Sequence, residues 1–456
     1  MTGTDPTLLG ILIIAVLFIA LFSGMPVAFA LGVPSLVFMY LFLDPAQFDM
    51  TALVMFDGVN DFGLLAIPLF VLMGAIVAVT PCGADLYEGI HRWIYKLPGG
   101  LAISNVLACA IFSALCGSSP ATAAAIGTMG IPEMRKRGYP DSLACGSIVG
   151  GGALGNLIPP GVVPIVYGIA TQTSIGKLFI GSVIPGIIVT AMMCIWVVLY
   201  SKWARKRAAI PIAVEVGAGG GPSGREFYGE VSYTFKERMA GILKVSPFML
   251  LVVFLLVVLY GGYATPSEAA GVCAIATFVM VILIYRLRSF KDYKEILEMT
   301  VRESVMIMLI IASSFLFTTL LTKLYITQAI TQSLVQWQLN KWLLMATINV
   351  FFLIMGCLLP PVAIVLIACP ILHPVILAYG FDPVWFGIII TINMEVGMIT
   401  PPFGLNLFVV KGIAPYVPME RVFLGSLPFA VCLMLGIVVC SFWPELITWL
   451  PSKMIR

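Results

Sequence analysis

Charge is what this sequence has least of. Asp, Glu, Lys and Arg together make up 10% of 456 residues, and the formal net charge is only +3. A soluble domain carries roughly a quarter charged residues, so this composition excludes one, and so small a positive excess leaves no electrostatic footprint for nucleic acid. Histidine is nearly missing, with His91 and His373 alone. That excludes a histidine-based metal centre and leaves little acid–base chemistry. Neither H-E-x-x-H nor G-x-S-x-G occurs, so an intramembrane enzyme has no motif to rest on. The ten cysteines form no C-x-x-C pair, and most sit in apolar segments as small buried residues.

What is there is apolar: 60% of the residues are hydrophobic, which predicts an all-α polytopic protein in a lipid bilayer. The N-terminus has no basic n-region and no cleavage site before Pro26, so residues 7–22 read as a retained span. Further spans are expected at 27–43, 62–80, 178–200, 245–263, 266–286, 303–322 and 422–440. The loop carrying Asp44, Asp49, Asp57 and Asp61 has no Lys or Arg, whereas Lys202, Arg205, Lys206 and Arg207 open a Gly-rich linker over 201–243. By the positive-inside rule the linker is cytoplasmic and both termini lie outside.

Four segments cannot be plain spans. Residues 98–134 and 342–380 read as re-entrant hairpins, with tips at 117–121 and at Gly356 to Pro361; residues 141–173 and 384–414 read as helices broken at Gly155 to Gly161 and Gly397 to Gly404. Proline removes backbone donors and glycine lets the chain bend. In lipid such backbone survives only against protein or a polar cavity. Gly138 and Gly380, Gly155 and Gly397, and Pro159 and Pro401 are each 242 residues apart, which indicates an internal repeat. Counting crossings from a cytoplasmic linker makes residues 1–200 and 244–456 repeats of opposite orientation, the plan of secondary transporters with sites at the repeat interface. A passive channel suits two opposed hairpins less well.

Gly117-Ser-Ser-Pro-Ala-Thr-Ala-Ala-Ala-Ile-Gly127, Ile131-Pro-Glu-Met-Arg-Lys-Arg-Gly-Tyr139, Ile158-Pro-Pro160 and Gly397-Met-Ile-Thr-Pro-Pro-Phe-Gly-Leu-Asn-Leu-Phe408 carry a family resemblance. The chain resembles the large membrane subunit of tripartite ATP-independent periplasmic (TRAP) transporters, over nearly its whole length apart from 208–240. The resemblance implies sodium-driven uptake of an organic acid across the bacterial inner membrane, a periplasmic substrate-binding protein that delivers it, and a separate small membrane subunit. It also implies an elevator, in which the hairpins and broken helices slide against a scaffold of the other spans. A stand-alone sodium/dicarboxylate carrier of the same plan, needing no binding protein, is the rival.

Site residues follow from the breaks. Sodium needs several oxygen ligands, and freed carbonyls supply them; Ser118 and Gly155 to Pro159 are expected to form one site, and Gly356, Gly397 and Thr400 its mate. Some family members carry an acidic residue where this chain has Thr122, so at this tip carbonyls and the Ser118, Ser119 or Thr122 hydroxyls must serve. An anionic substrate wants helix N-termini, which places it between Pro120 and Pro361, near Ser119 and Thr122, with Asn156, Asn393 and Asn406 as polar contacts. Glu395 is a carboxylate inside a span, at a cost of ~2.5 to 3.5 kcal/mol on insertion scales. It is expected to hold an ion or a proton, or to pair with Lys411. Glu133, with Arg135 and Lys136, marks the interface, and Glu268 caps a helix.

Overall fold

The computed structural model describes residues 5–208, 233–287, 289–336, 339–402 and 404–454, and every regular element among them is a helix. A helix satisfies its own backbone, as hydrocarbon requires. Among the described residues six helices are long and apolar enough to cross a membrane: Ile175–Ala204, Phe235–Tyr260, Pro266–Tyr285, Phe290–Lys323, Pro361–Ala378 and Met419–Phe442. Pro6–Phe22 and Val27–Phe42, shorter by one or two residues, are equally apolar. Their outward faces are greasy, with Leu250 67%, Ile275 67% and Leu283 73% exposed, a surface stable only against lipid or another apolar chain. The chain is a multi-pass membrane protein.

Sequence signals set the helix ends. Thr265 accepts from the Glu268 backbone while the Glu268 carboxylate takes the Thr265 N–H at 2.8 Å, a capping box in which Glu268 caps the helix as expected. Asp382 accepts from the N–H groups of Val384 and Trp385 and starts Pro383–Met398. The acidic stretch 44–61 is not a loop: it folds as Pro45–Asp49 and Thr51–Val59, then bends by 54° into Phe62–Ala78. The linker shrinks from both sides, because residues 201–208 and 235–243 continue long helices; its centre at 217–221 lies outside the described residues.

The first hairpin is Gly100–Cys116 followed by Ser119–Lys136, and the second is Lys341–Gly356 followed by Pro361–Ala378. The arms run to 16–18 residues, about 24–27 Å at 1.5 Å per residue, so length alone does not mark them as re-entrant. At the first tip Gly117 turns the chain with φ +64°, a left-handed value that glycine adopts freely. Asp141–Gly152 with Val162–Thr171, and Pro383–Met398 with Leu405–Ile413, are the broken helices. The Pro159–Pro160 and Pro401–Pro402 bonds in the breaks are both cis.

Two groups of helices result. Val27–Phe42 packs along Phe290–Lys323, and Ala66–Ala78 along Pro266–Tyr285. The hairpins pack on the broken helices, and Met419–Phe442 lies along Asp141–Gly152. There Gly146 and Gly425 bring the backbones so close that a Cβ on either would collide with the other helix. At the base of the first hairpin, His91 on Cys82–Ile94 meets Ser104 Oγ and Arg137 at 3.3 Å each, and Arg137 grips Glu133 at 2.7 Å. Burial first, and the Arg137 charge second, hold His91 neutral with a pKa of about 4. It is an anchor of this hairpin.

Candidate functional site

Each break meets a hairpin tip through bare backbone. A Cβ on Gly155 would collide with Ser119 and Ser118, and one on Gly397 would collide with Gly356. Ser118 with Gly155, and Gly356 with Gly397, are thus brought together as matched pairs. The tips in turn wall a cavity of about 760 Å³, whose lining includes Gly117 to Pro120, Asn156 and Pro360 to Val362 on one side. Pro26 to Phe29 and the Arg302 to Ile310 stretch of Phe290–Lys323 face them. Both second arms start at this cavity, and neither has a side-chain cap. Their orphan N–H groups and dipoles favour an anion.

Behind the cavity wall lies Glu395, fully buried. Ser119 Oγ stands 2.8 Å from both of its carboxylate oxygens, and Asn156 Nδ2 donates to Oε1 at 2.7 Å. The other Asn156 amide hydrogen reaches Ser119 Oγ at 3.0 Å. Carboxylate, hydroxyl and amide come from the second break, the first hairpin tip and the first break. Lys411 is not the partner of Glu395: its ammonium donates to the Pro415 and Val417 carbonyls at 2.8 and 2.6 Å, closing the turn that ends its own short helix. Among the described residues Glu395 therefore has hydrogen-bond donors around it and no cationic side chain.

Other expected residues divide by where they point. Ser118 and Pro120 line the cavity with Pro361. Ser119 is fully buried and spends its hydroxyl on Glu395. Thr122 and Asn406 are fully buried, with neither the Thr122 hydroxyl nor either Asn406 side-chain atom bonded; they sit on helices that pack together, Ser119–Lys136 and Leu405–Ile413. Asn393 turns to the second hairpin, donating to Asn349 Oδ1 at 2.6 Å, and its own oxygen is unbonded. Thr400 bonds back to the Val396 carbonyl at 2.6 Å. Pro159 is buried in the first break. Glu133 pairs with Arg137, whereas Arg135 lies 3.7 Å from Asp141 and over the Tyr416 ring.

Sequence reasoning missed Arg302 and Glu303. Both line the cavity, yet in sequence they stand at the start of an apolar run and read as interfacial charge. Residues 14–446 match the family model described as Tripartite ATP-independent periplasmic transporter, DctM component. The chain belongs to this family. It is 34% identical to the C4-dicarboxylate TRAP transporter large permease protein DctM of Pseudomonas aeruginosa, over 90% of this chain and 91% of that one. The protein of the same description from Vibrio cholerae is 33% identical over 98% and 97%. Among solved structures, the YdaH transporter of Alcanivorax borkumensis shares the fold, with a TM-score of 0.62 at 14% identity and coverage of 98% and 100%. As a DctM-family permease the chain is a transporter and not an enzyme.

Proposed function

We propose that this permease takes up a small organic anion, driven by sodium, through an elevator movement of the hairpins and broken helices. The observation that carries the reading is the cavity between two uncapped helix starts, with a buried carboxylate behind it. The resemblance of the breaks, Gly155 to Pro159 and Gly397 to Pro401, in both halves supports inverted repeats, and the gap between hairpins and scaffold supports relative sliding.

The residues fit a sodium ion as co-transported cargo. Sodium takes oxygen ligands, and the Thr122 hydroxyl and Asn406 Oδ1 are buried without partners, a condition that calls for a bound water or ion. Among the described residues no three acidic, histidine or cysteine side chains converge, so ligands would come from hydroxyl, amide and carbonyl oxygens with Glu395 alone supplying charge. Membership of a tripartite family supports a periplasmic binding protein and a small membrane subunit as partners, in the inner membrane, and disfavours a stand-alone carrier. The relatives' names support an organic acid: a C4-dicarboxylate in three of them, and sialic acid or 2,3-diketo-L-gulonate in others.

The test is uptake of succinate into proteoliposomes holding this chain, the small subunit and the binding protein. Accumulation is expected only with an inward sodium gradient and with the binding protein present. Accumulation indifferent to both would overturn the proposal.

A further inference from the structure

Glu395, Ser119 and Asn156 form a closed set of donors and acceptors. Ser119 has one hydroxyl hydrogen, and its Oγ lies 2.8 Å from both carboxylate oxygens; Asn156 has two amide hydrogens, one for Glu395 Oε1 and one for Ser119 Oγ. No side-chain donor of the trio is left over for a solute. Ser119 and Glu395 are fully buried, and Asn156 alone has exposed surface, 6%, on the wall of the cavity that holds the helix starts.

An anion in that cavity competes with Glu395 for the Asn156 amide. If the substrate carboxylate takes an Asn156 hydrogen, Glu395 loses its shortest hydrogen bond, and two anions stand on either side of one side chain. A buried carboxylate stripped of a donor is costly unless a positive charge replaces what was lost. The replacement is a monovalent cation at Glu395, either sodium or a proton. Conversely, a cation on Glu395 weakens its hold on Asn156 and frees the amide for substrate. Linkage makes the two effects equal.

We propose that Asn156 couples occupancy of the cavity to cation binding at Glu395, so that substrate anion and cation bind together. This rests on the organic-anion reading above. It makes Asn156 a direct contact for the substrate and its link to Glu395, and it assigns Glu395 to the coupling step.

The test uses the purified complex of this chain with its small subunit in nanodiscs and succinate as the probe. Succinate affinity is measured with sodium or choline, at pH 6 and pH 8; a sodium site responds to the first exchange and a proton site to the second. In the wild type, removing the effective cation is expected to weaken succinate binding roughly tenfold, within the usual range of coupling. Glu395→Gln, neutral without any cation, is expected to bind succinate equally well in all four conditions. Asn156→Ala is expected to leave cation-dependent thermal stabilisation of the succinate-free protein intact while succinate affinity loses its cation dependence. Either variant keeping the wild-type dependence overturns the coupling. Cation-dependent stabilisation that survives in Glu395→Gln overturns the cation assignment. Wild-type protein without affinity for succinate in any condition overturns the substrate reading, and the coupling with it.

Discussion

Asn156 and Glu395 are 239 residues apart in the chain and 2.7 Å apart in space. Each was recognisable alone: an amide in a glycine-rich break and a carboxylate in an apolar segment. Their meeting was not, because nothing local encodes a contact across two halves of the chain, and the nearby Lys411 offered a partner that geometry gives to two carbonyls. Arg302 shows the opposite difficulty, since a charge at the head of a span has an ordinary interfacial explanation. In the structure it is the one cationic side chain on the cavity wall among the described residues, beside Glu303. An Arg–carboxylate contact is charge-assisted and worth ~1.5 to 3 kcal/mol. Arg302→Gln is therefore expected to raise the KM for succinate uptake about tenfold or more, with Arg302→Lys between the two, because lysine keeps the charge and loses the fork. Glu303→Gln, which removes a like charge facing the substrate, is expected to leave KM unchanged or lower it. Initial uptake rates across succinate concentrations give these values.

At the scale of elements, glycine and proline made the breaks legible. Gly155, Pro159, Gly397 and Pro401 mark them in order, and two helices end and restart where they stand. What pattern did not reveal is why those glycines are glycines. Gly155 and Gly397 are contact points where a hairpin tip rests on a break with no room for a methyl group. The short helices within 44–61 escaped notice because five and nine residues carry too little periodicity to read. Gly397→Ala is expected to destabilise the protein by ~1 to 3 kcal/mol through overpacking. Gly271→Ala, whose new Cβ would have Leu69 Cδ1 at 3.8 Å as its sole neighbour within 4 Å, is expected to be neutral or to stabilise by ~0.5 to 1 kcal/mol, since alanine is the better helix former. Thermal unfolding of the two purified variants in detergent separates these outcomes. A Gly397→Ala protein as stable as the wild type would mean that the second tip can retreat from its break.

For the whole molecule, composition alone was enough for a polytopic bundle, while the pairing of helices between halves is seen only in the fold. The positive-inside rule predicts an orientation: Lys202, Arg205, Lys206 and Arg207 on the cytoplasmic side, and the 44–61 stretch, free of Lys and Arg, on the other. A single reactive cysteine placed at Lys236 in a cysteine-free background is expected to label with a membrane-impermeant maleimide only from the cytoplasmic side, and one at Asp57 only from the outside. Labelling of both from one side would refute the crossing count and the opposed orientation of the halves.

The close seam between Asp141–Gly152 and Met419–Phe442 also bears on how the protein is made. Gly146 and Gly150 lie against Gly425 and Phe429, a surface that a growing chain does not yet possess when its first broken helix enters the bilayer. Until the second half of the chain is made, that helix carries a bare glycine face and a break with no carboxylate behind it. The first half of the site is thus made before the residues that complete it, and a chain stopped before Met419 would leave the glycine face of Asp141–Gly152 without its partner helix.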